Sequence, residues 1–145
     1  EMAKEFGATH TININEVEDA AKAVKKLTGG VDYAFECVGA GAVVEQAYKS
    51  LGRGGTAVVV GVSDPKDKTS VTTLTLPADE RTLKGSWLGS ARPQYDFPRI
   101  IGLYKAGKLK LDELVTRTYP IEEAAQAFDD MVGGKNARGV IVMEP

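Results

Sequence analysis

The sequence predicts an α/β protein: part of a parallel sheet flanked by helices, followed by a strand–helix–strand tail. Two apolar, β-prone runs, Val31–Val38 and Thr56–Val60, each end at a glycine, Gly39 and Gly61, with a helical segment between them. That order is a βαβ unit, whose right-handed crossover makes the strands parallel and brings both glycines to one edge of the sheet. After residue 111 the pattern changes to a short strand, an amphipathic helix and a last strand, which can belong to a different sheet. In an open α/β sheet the ligand crevice lies beyond the carboxyl ends of the strands, so Gly39 and Gly61 mark where a ligand sits.

Taken in order, Glu1–Gly7 reads as the last turns of a helix, with Met2, Ala3 and Phe6 on one face and Gly7 just past its end. The chain reads as though entered partway through a fold. Thr9–Asn13 is β-prone around Ile12. Asn15 is placed to cap the next helix, with Glu16, Glu18 and Asp19 in its first turn and Lys22, Lys25 and Lys26 toward Gly29, both matching the helix dipole. Val17, Ala20, Val24 and Leu27 form its buried stripe.

A helix over Gly41–Leu51 turns Val44, Ala47, Tyr48 and Leu51 inward, and Gly52–Gly55 returns the chain to the second strand. The three valines Val58–Val60 predict burial on both faces, as in a central parallel strand. Ser63–Ser70 is a polar loop, Val71–Leu76 a half-exposed extended segment, and Pro77–Glu80 a short helix start. Leu83–Leu88 is an edge strand, marked by Lys84 and Gly85. Asp96 is placed to cap a helix that Gly107 closes. Leu114–Tyr119, Pro120–Val132 and Val140–Met143 form the tail, with Ile121, Ala124, Ala125, Phe128 and Met131 on one helical face.

Composition narrows the function classes. Hydrophobic residues make up 43% and charged residues 26%, so a packed core can form. A net charge of −2 and the absence of any Lys/Arg run argue against a nucleic-acid surface. No apolar run is long enough for a bilayer, and the charged Glu1–Glu5 stretch has no signal-peptide core, so a cytoplasmic setting is expected. With one cysteine and one histidine, neither an internal disulfide nor an ordinary zinc site is expected.

No nucleophile–base pair can be drawn, and no catalytic residue is assigned. His10 reads as a surface or edge histidine. Cys37 reads as small apolar packing rather than a reactive thiol, since no neighbouring cation lowers its pKa. Glu36 faces away from Phe35 and Cys37 and reads as a hydrogen-bonding residue at the sheet edge. Arg138, just before the last strand, is either solvated or aimed at a phosphate. The phosphate-binding fingerprint G-x-G-x-x-G is absent: Gly39-Ala40-Gly41 follows a strand, but position 44 is Val44.

Across almost the whole chain the motifs A-K-E-F-G-A-T-H-T-I-N, G-G-V-D-Y-A-F-E-C-V-G, G-R-G-G-T-A-V-V-V-G-V, L-K-G-S-W-L-G-S and Y-P-I-E-E-A-A-Q-A-F-D-D-M, with A-R-G-V-I-V, resemble the C-terminal part of a zinc-type medium-chain alcohol dehydrogenase. The resemblance implies an incomplete Rossmann-type dinucleotide-binding domain over 1–111 and, over 112–145, a tail that in the family returns to the catalytic domain. It implies NAD as cofactor, with zinc held only in the family's catalytic part. Cys37, Val38 and Gly39 resemble the strand end beside the adenosine, and Val60, Gly61 and Val62 the segment touching the nicotinamide carboxamide. Trp87 and Leu88 match the edge strand near the nicotinamide, and Arg138 a pyrophosphate contact. The Leu83–Leu88 edge implies a homo-oligomer. The glycine fingerprint, ribose acid and zinc ligands of the family are missing from this sequence. The expectation is therefore a piece of an NAD(H)-dependent alcohol dehydrogenase that is not catalytic alone. The alternative is a non-catalytic nucleotide-binding or dimerisation module; a doubly wound regulator would need an acidic cluster at strand ends, which the sequence lacks.

Overall fold

The computed structural model describes residues 2–143. Glu1, Glu144 and Pro145, where the expected N-terminal helix and C-terminal tail also fall, lie outside the described residues. The chain forms two compact units, Glu1–Ala91 and Arg92–Pro145.

The first unit opens with one helical turn, α1 (Met2–Glu5). Thr9–Asn13 is not a strand: it pairs with no neighbour, and Asn13 instead caps a 3₁₀ turn over Ile14–Glu16 by accepting from the Asn15 amide at 3.1 Å. The cap of α2 (Ala20–Thr28) is accordingly Asp19 and not Asn15, its carboxylate accepting from the Lys22 amide at 2.9 Å. Gly29 ends α2 in the left-handed conformation. Of the expected stripe, Val17, Ala20 and Val24 are half-buried and Leu27 faces solvent; the residue of α2 that is buried is Ala21, outside that stripe.

Strand β1 (Val31–Glu36), helix α3 (Gly41–Ser50) and strand β2 (Leu51–Val59) form the expected unit, and β1 and β2 are parallel. Strand β2 starts directly at the end of α3. Val31 pairs with Leu51 and Tyr33 with Thr56, so Gly52–Gly55 makes an irregularity inside the strand rather than a turn before it. Val71–Leu76 is not extended throughout. It runs into α4 (Thr75–Ala78), where the Thr75 hydroxyl meets the Tyr48 hydroxyl at 2.9 Å and donates to the Thr72 carbonyl. Strand β3 (Thr82–Gly85) pairs parallel with β2, giving the order β1-β2-β3 with β3 at an edge. It stops before Trp87 and Leu88, which turn away with Leu88, Gly89 and Ser90 all at positive φ.

Tyr48, Leu51 and Ala57 form the core, with Val31, Ala34, Val71, Leu76 and Leu83 packed against them. Residues paired in register share a sheet face. Ala34, Ala57 and Leu83 therefore look toward the core, and Tyr33 and Phe35 look the other way, each 66% exposed. Val58, paired with Phe35, shares that open face and is only half-buried; Val59 and Val60, at the carboxyl end of the run, are half-buried as well, although β2 is central and parallel.

In the second unit α5 (Pro93–Lys105) begins at Pro93, whose fixed φ suits a first helical position. Asp96 is one turn inside and reaches back to the Arg92 amide at 2.7 Å, so it braces the helix start without being its cap. Strand β4 (Arg117–Pro120), helix α6 (Ala124–Val132) and strand β5 (Gly139–Val142) follow; β4 and β5 pair parallel in their own sheet. Leu114 belongs to a 3₁₀ turn instead of the strand. This unit is organised around a buried carboxylate. Asp130, 1% exposed, accepts from Arg117 Nη1, the Tyr119 hydroxyl, Gln126 Nε2 and Lys135 Nζ, all within 2.9 Å. The expected apolar face of α6 leaves Ile121, Phe128 and Met131 exposed.

Candidate functional site: the carboxyl edge of the parallel sheet

Glu36 is the last residue of β1 and is buried, while its neighbours Phe35 and Cys37 are exposed. Its carboxylate Oε1 accepts from the amides of Val38 at 2.7 Å and Gly39 at 2.6 Å. Its backbone carbonyl accepts from the amides of Val60 at 2.8 Å and Gly61 at 3.0 Å. One residue thus ties together the segments that leave β1 and β2. Charge-assisted bonds to two amides are the sort of compensation a buried carboxylate needs. The compensation is incomplete, because Oε2 is buried without a partner.

The two glycines are close-packed. Gly39 has φ +85°, a conformation side chains rarely adopt, and a Cβ there would run into the Val62 carbonyl, 2.7 Å from its carbon. A Cβ on Gly61 would lie 2.6 Å from Gly39 Cα and 2.8 Å from Glu36 Oε2. The backbone–backbone approach at this edge requires glycine on both sides.

The polar loop after β2 is fastened across α3. Asp67 Oδ2 accepts from the Gly41 amide, the first of the helix, at 2.6 Å, and Asp67 Oδ1 accepts from the Lys68 amide at 2.8 Å. Glu45 Oε1 accepts from the Ser70 amide at 2.9 Å, and Glu45 Oε2 meets Lys49 Nζ at 3.2 Å. Those two donors, the Ser70 amide first, hold the Glu45 carboxyl below its ordinary range.

The structure gathers Gly39, Val60, Gly61 and Val62 into one contact region, with Cys37 and Val38 in the loop beside it. Val38 and Val62 are largely exposed. Cys37 is exposed too, which overturns its reading as apolar packing: it lies one residue past the strand, outside the packed face. His10 is exposed at the surface, as expected. Ser86 continues the ladder through its amide to the Val59 carbonyl at 2.8 Å, and Trp87 and Leu88 come next, beyond the strand that was to contain them, 73% and 81% exposed. They follow the carboxyl end of β3 as Cys37 follows that of β1. Arg138 lies in the second unit. Its carbonyl accepts from the Thr116 amide at 3.1 Å, and its side chain is exposed.

Sequence reading missed Asp67, Glu45 and Asp130 as organising residues. Asp67 and Glu45 sit in polar surroundings where a carboxylate reads as solvated, and their partners are remote in sequence. Among the described residues no group of three His, Cys, Asp or Glu is arranged to hold a metal ion, so these residues do not fit a zinc site. No described helix is long and apolar enough to cross a membrane.

Residues 1–106 match the family model described as "Zinc-binding dehydrogenase". The chain is 43% identical to the NDMA-dependent alcohol dehydrogenase of Amycolatopsis methanolica, over 98% of this chain and 39% of that protein. It is 35% identical to alcohol dehydrogenase 1 of Pisum sativum, over 99% and 38% respectively. Its fold superimposes with a TM-score of 0.91 on the crystal structure of an alcohol dehydrogenase zinc-binding domain protein from Burkholderia ambifaria, at 34% identity, covering 99% of this chain and 39% of that one. The chain therefore spans about 39% of the length of relatives that it matches almost from end to end.

Proposed function

Because the chain belongs to the zinc-binding dehydrogenase family, we propose that it supplies one wall of an NAD(H) crevice in an alcohol dehydrogenase. In this reading 1–111 is the incomplete dinucleotide-binding part and 112–145 the tail that returns to a catalytic part. The observation that carries it is the meeting of Gly39 and Gly61 at the carboxyl edge of three parallel strands, too close for any side chain. Bound there, NAD would supply the hydride acceptor for an alcohol carbon. Cys37, Val38, Gly39, Val60, Gly61, Val62, Trp87 and Leu88 are the residues assigned to this wall in this reading, and Arg138, in the second unit, is assigned a phosphate contact on the family resemblance alone. Zinc enters no step, since these residues do not fit it.

The edge of β3, four residues long, is the proposed contact with a second copy of the chain. A cytoplasmic setting suits the single free thiol at Cys37.

Calorimetric titration with NADH tests the crevice. Saturable binding, weakened by Arg138→Ala, is the expected result. No heat up to millimolar NADH overturns it and favours a non-catalytic assembly module. The chain alone is expected to show no alcohol-dependent NAD reduction even with added zinc; measurable reduction refutes that part.

A further inference from the structure

The loop between β1 and α3 has the outline of a phosphate-binding turn: a strand end, a glycine at positive φ, then a helix N-terminus. In such turns the free amides receive the anion. Here three of them are already taken by the chain's own carboxylates. The amides of Val38 and Gly39 point inward to Glu36 Oε1, and the Gly41 amide points to Asp67 Oδ2 at 2.6 Å. Asp67 is itself held by the Lys68 amide at 2.8 Å, and the segment that carries it is fastened to α3 through Ser70 and Glu45. What the corner leaves unsatisfied is an acceptor, Glu36 Oε2, buried and aimed at Gly61.

We propose that Glu36 and Asp67 are specificity-determining residues that make the Val38–Gly41 corner reject phosphate, by occupying the Val38, Gly39 and Gly41 amides that would otherwise receive it. The proposal rests on the crevice reading above. It has two physical components. Occupied amides have no hydrogen left to offer, and a carboxylate at the first turn of α3 already meets the positive end of the helix dipole. A second anion at the same place would meet like charge.

The test uses inorganic phosphate as probe and the amide resonances of the 145-residue chain as readout. The Gly41 amide is the informative one, because Lys66 and Lys68 on the neighbouring exposed loop attract anions without using the corner. In the wild-type chain the Gly41 resonance is expected to stay unmoved by millimolar phosphate. In Asp67→Ala it should shift saturably over the same range, and in Asp67→Asn, which keeps an acceptor for the amide, it should again stay unmoved. A wild-type Gly41 amide that titrates as it does in Asp67→Ala overturns the proposal, as does an Asn variant that behaves like Ala. Should Asp67→Ala lose the dispersed spectrum of a folded chain, Asp67→Ser, too short to reach the amide, takes its place. Failure of the crevice reading shows separately, as absent NADH binding, while the phosphate titration still decides this one.

Discussion

Gly61→Ala is the sharpest test of the close-packed edge. Gly61 is not among the glycines at positive φ, so the cost of alanine is steric and not conformational. The new methyl would stand 2.6 Å from Gly39 Cα and 2.8 Å from Glu36 Oε2. Carbon atoms rest about 3.5–4.0 Å apart, so the two loops must separate by roughly 1 Å. Overpacking of this kind costs about 1–3 kcal/mol. The separation also stretches a bond Glu36 makes to Gly39 or Gly61, at about 1 kcal/mol more. A total of about 2–4 kcal/mol corresponds to a Tm on the order of 10–20 °C lower for a domain of this size. Urea and thermal unfolding, followed by far-UV circular dichroism and by fluorescence of the single Trp87 in the first unit, read the change. Gly85→Ala is the control, because a Cβ there meets nothing within 4 Å. A Gly61→Ala midpoint within that of Gly85→Ala refutes the packing argument.

Two further outcomes follow from named carboxylates. Glu36→Ala strands the Val38 and Gly39 amides and should destabilise the first unit by about 2 kcal/mol or more, whereas Glu36→Gln keeps the acceptor and should cost less; equal urea midpoints for the two variants would refute the clamp. In the second unit, hydrogen bonds from Lys135, Tyr119 and Gln126 lower the Asp130 carboxyl from 3.8 to about 2 against the opposing effect of burial. The unfolded chain then binds the proton more readily than the folded one, so this stabilisation is complete above about pH 4 and is lost as pH falls toward about 2. Unfolding midpoints measured across that window should fall in the wild type and flatten in Asp130→Asn; parallel curves would sink the assignment.

The contrast among these residues shows what a linear reading can reach. Gly39 and Gly61 were legible because a glycine closing a β-prone run is a local signal, and the βαβ pattern then dictates on which edge both lie. Glu36 was legible as a hydrogen-bonding residue from alternation alone, since its neighbours Phe35 and Cys37 face the other way. Cys37 was misread because alternation does not reveal that the strand ends one residue earlier. Asp96 and Asn15 were misplaced as caps because several polar residues competed for each helix start, and the fixed φ of Pro93 and the reach of Asp19 decided between them. The extent of β3 was overestimated because β propensity continues through Trp87 and Leu88 while the ladder does not.

By itself the sequence determined the central βαβ unit, its parallel pairing, the strand–helix–strand order of the tail, and the glycine-marked edge. All of these follow from short-range propensity, periodicity and the chirality of the crossover. Only the tertiary structure decided that Asp67 meets Gly41, that Glu36 spans two loops with one oxygen to spare, and that Asp130 is buried beneath four donors. Asp67 takes a hydrogen from a residue 26 positions away, and Glu36 and Asp130 combine near neighbours with donors brought close only by folding; a charged residue carries no mark in sequence of whether water or protein will supply its partners.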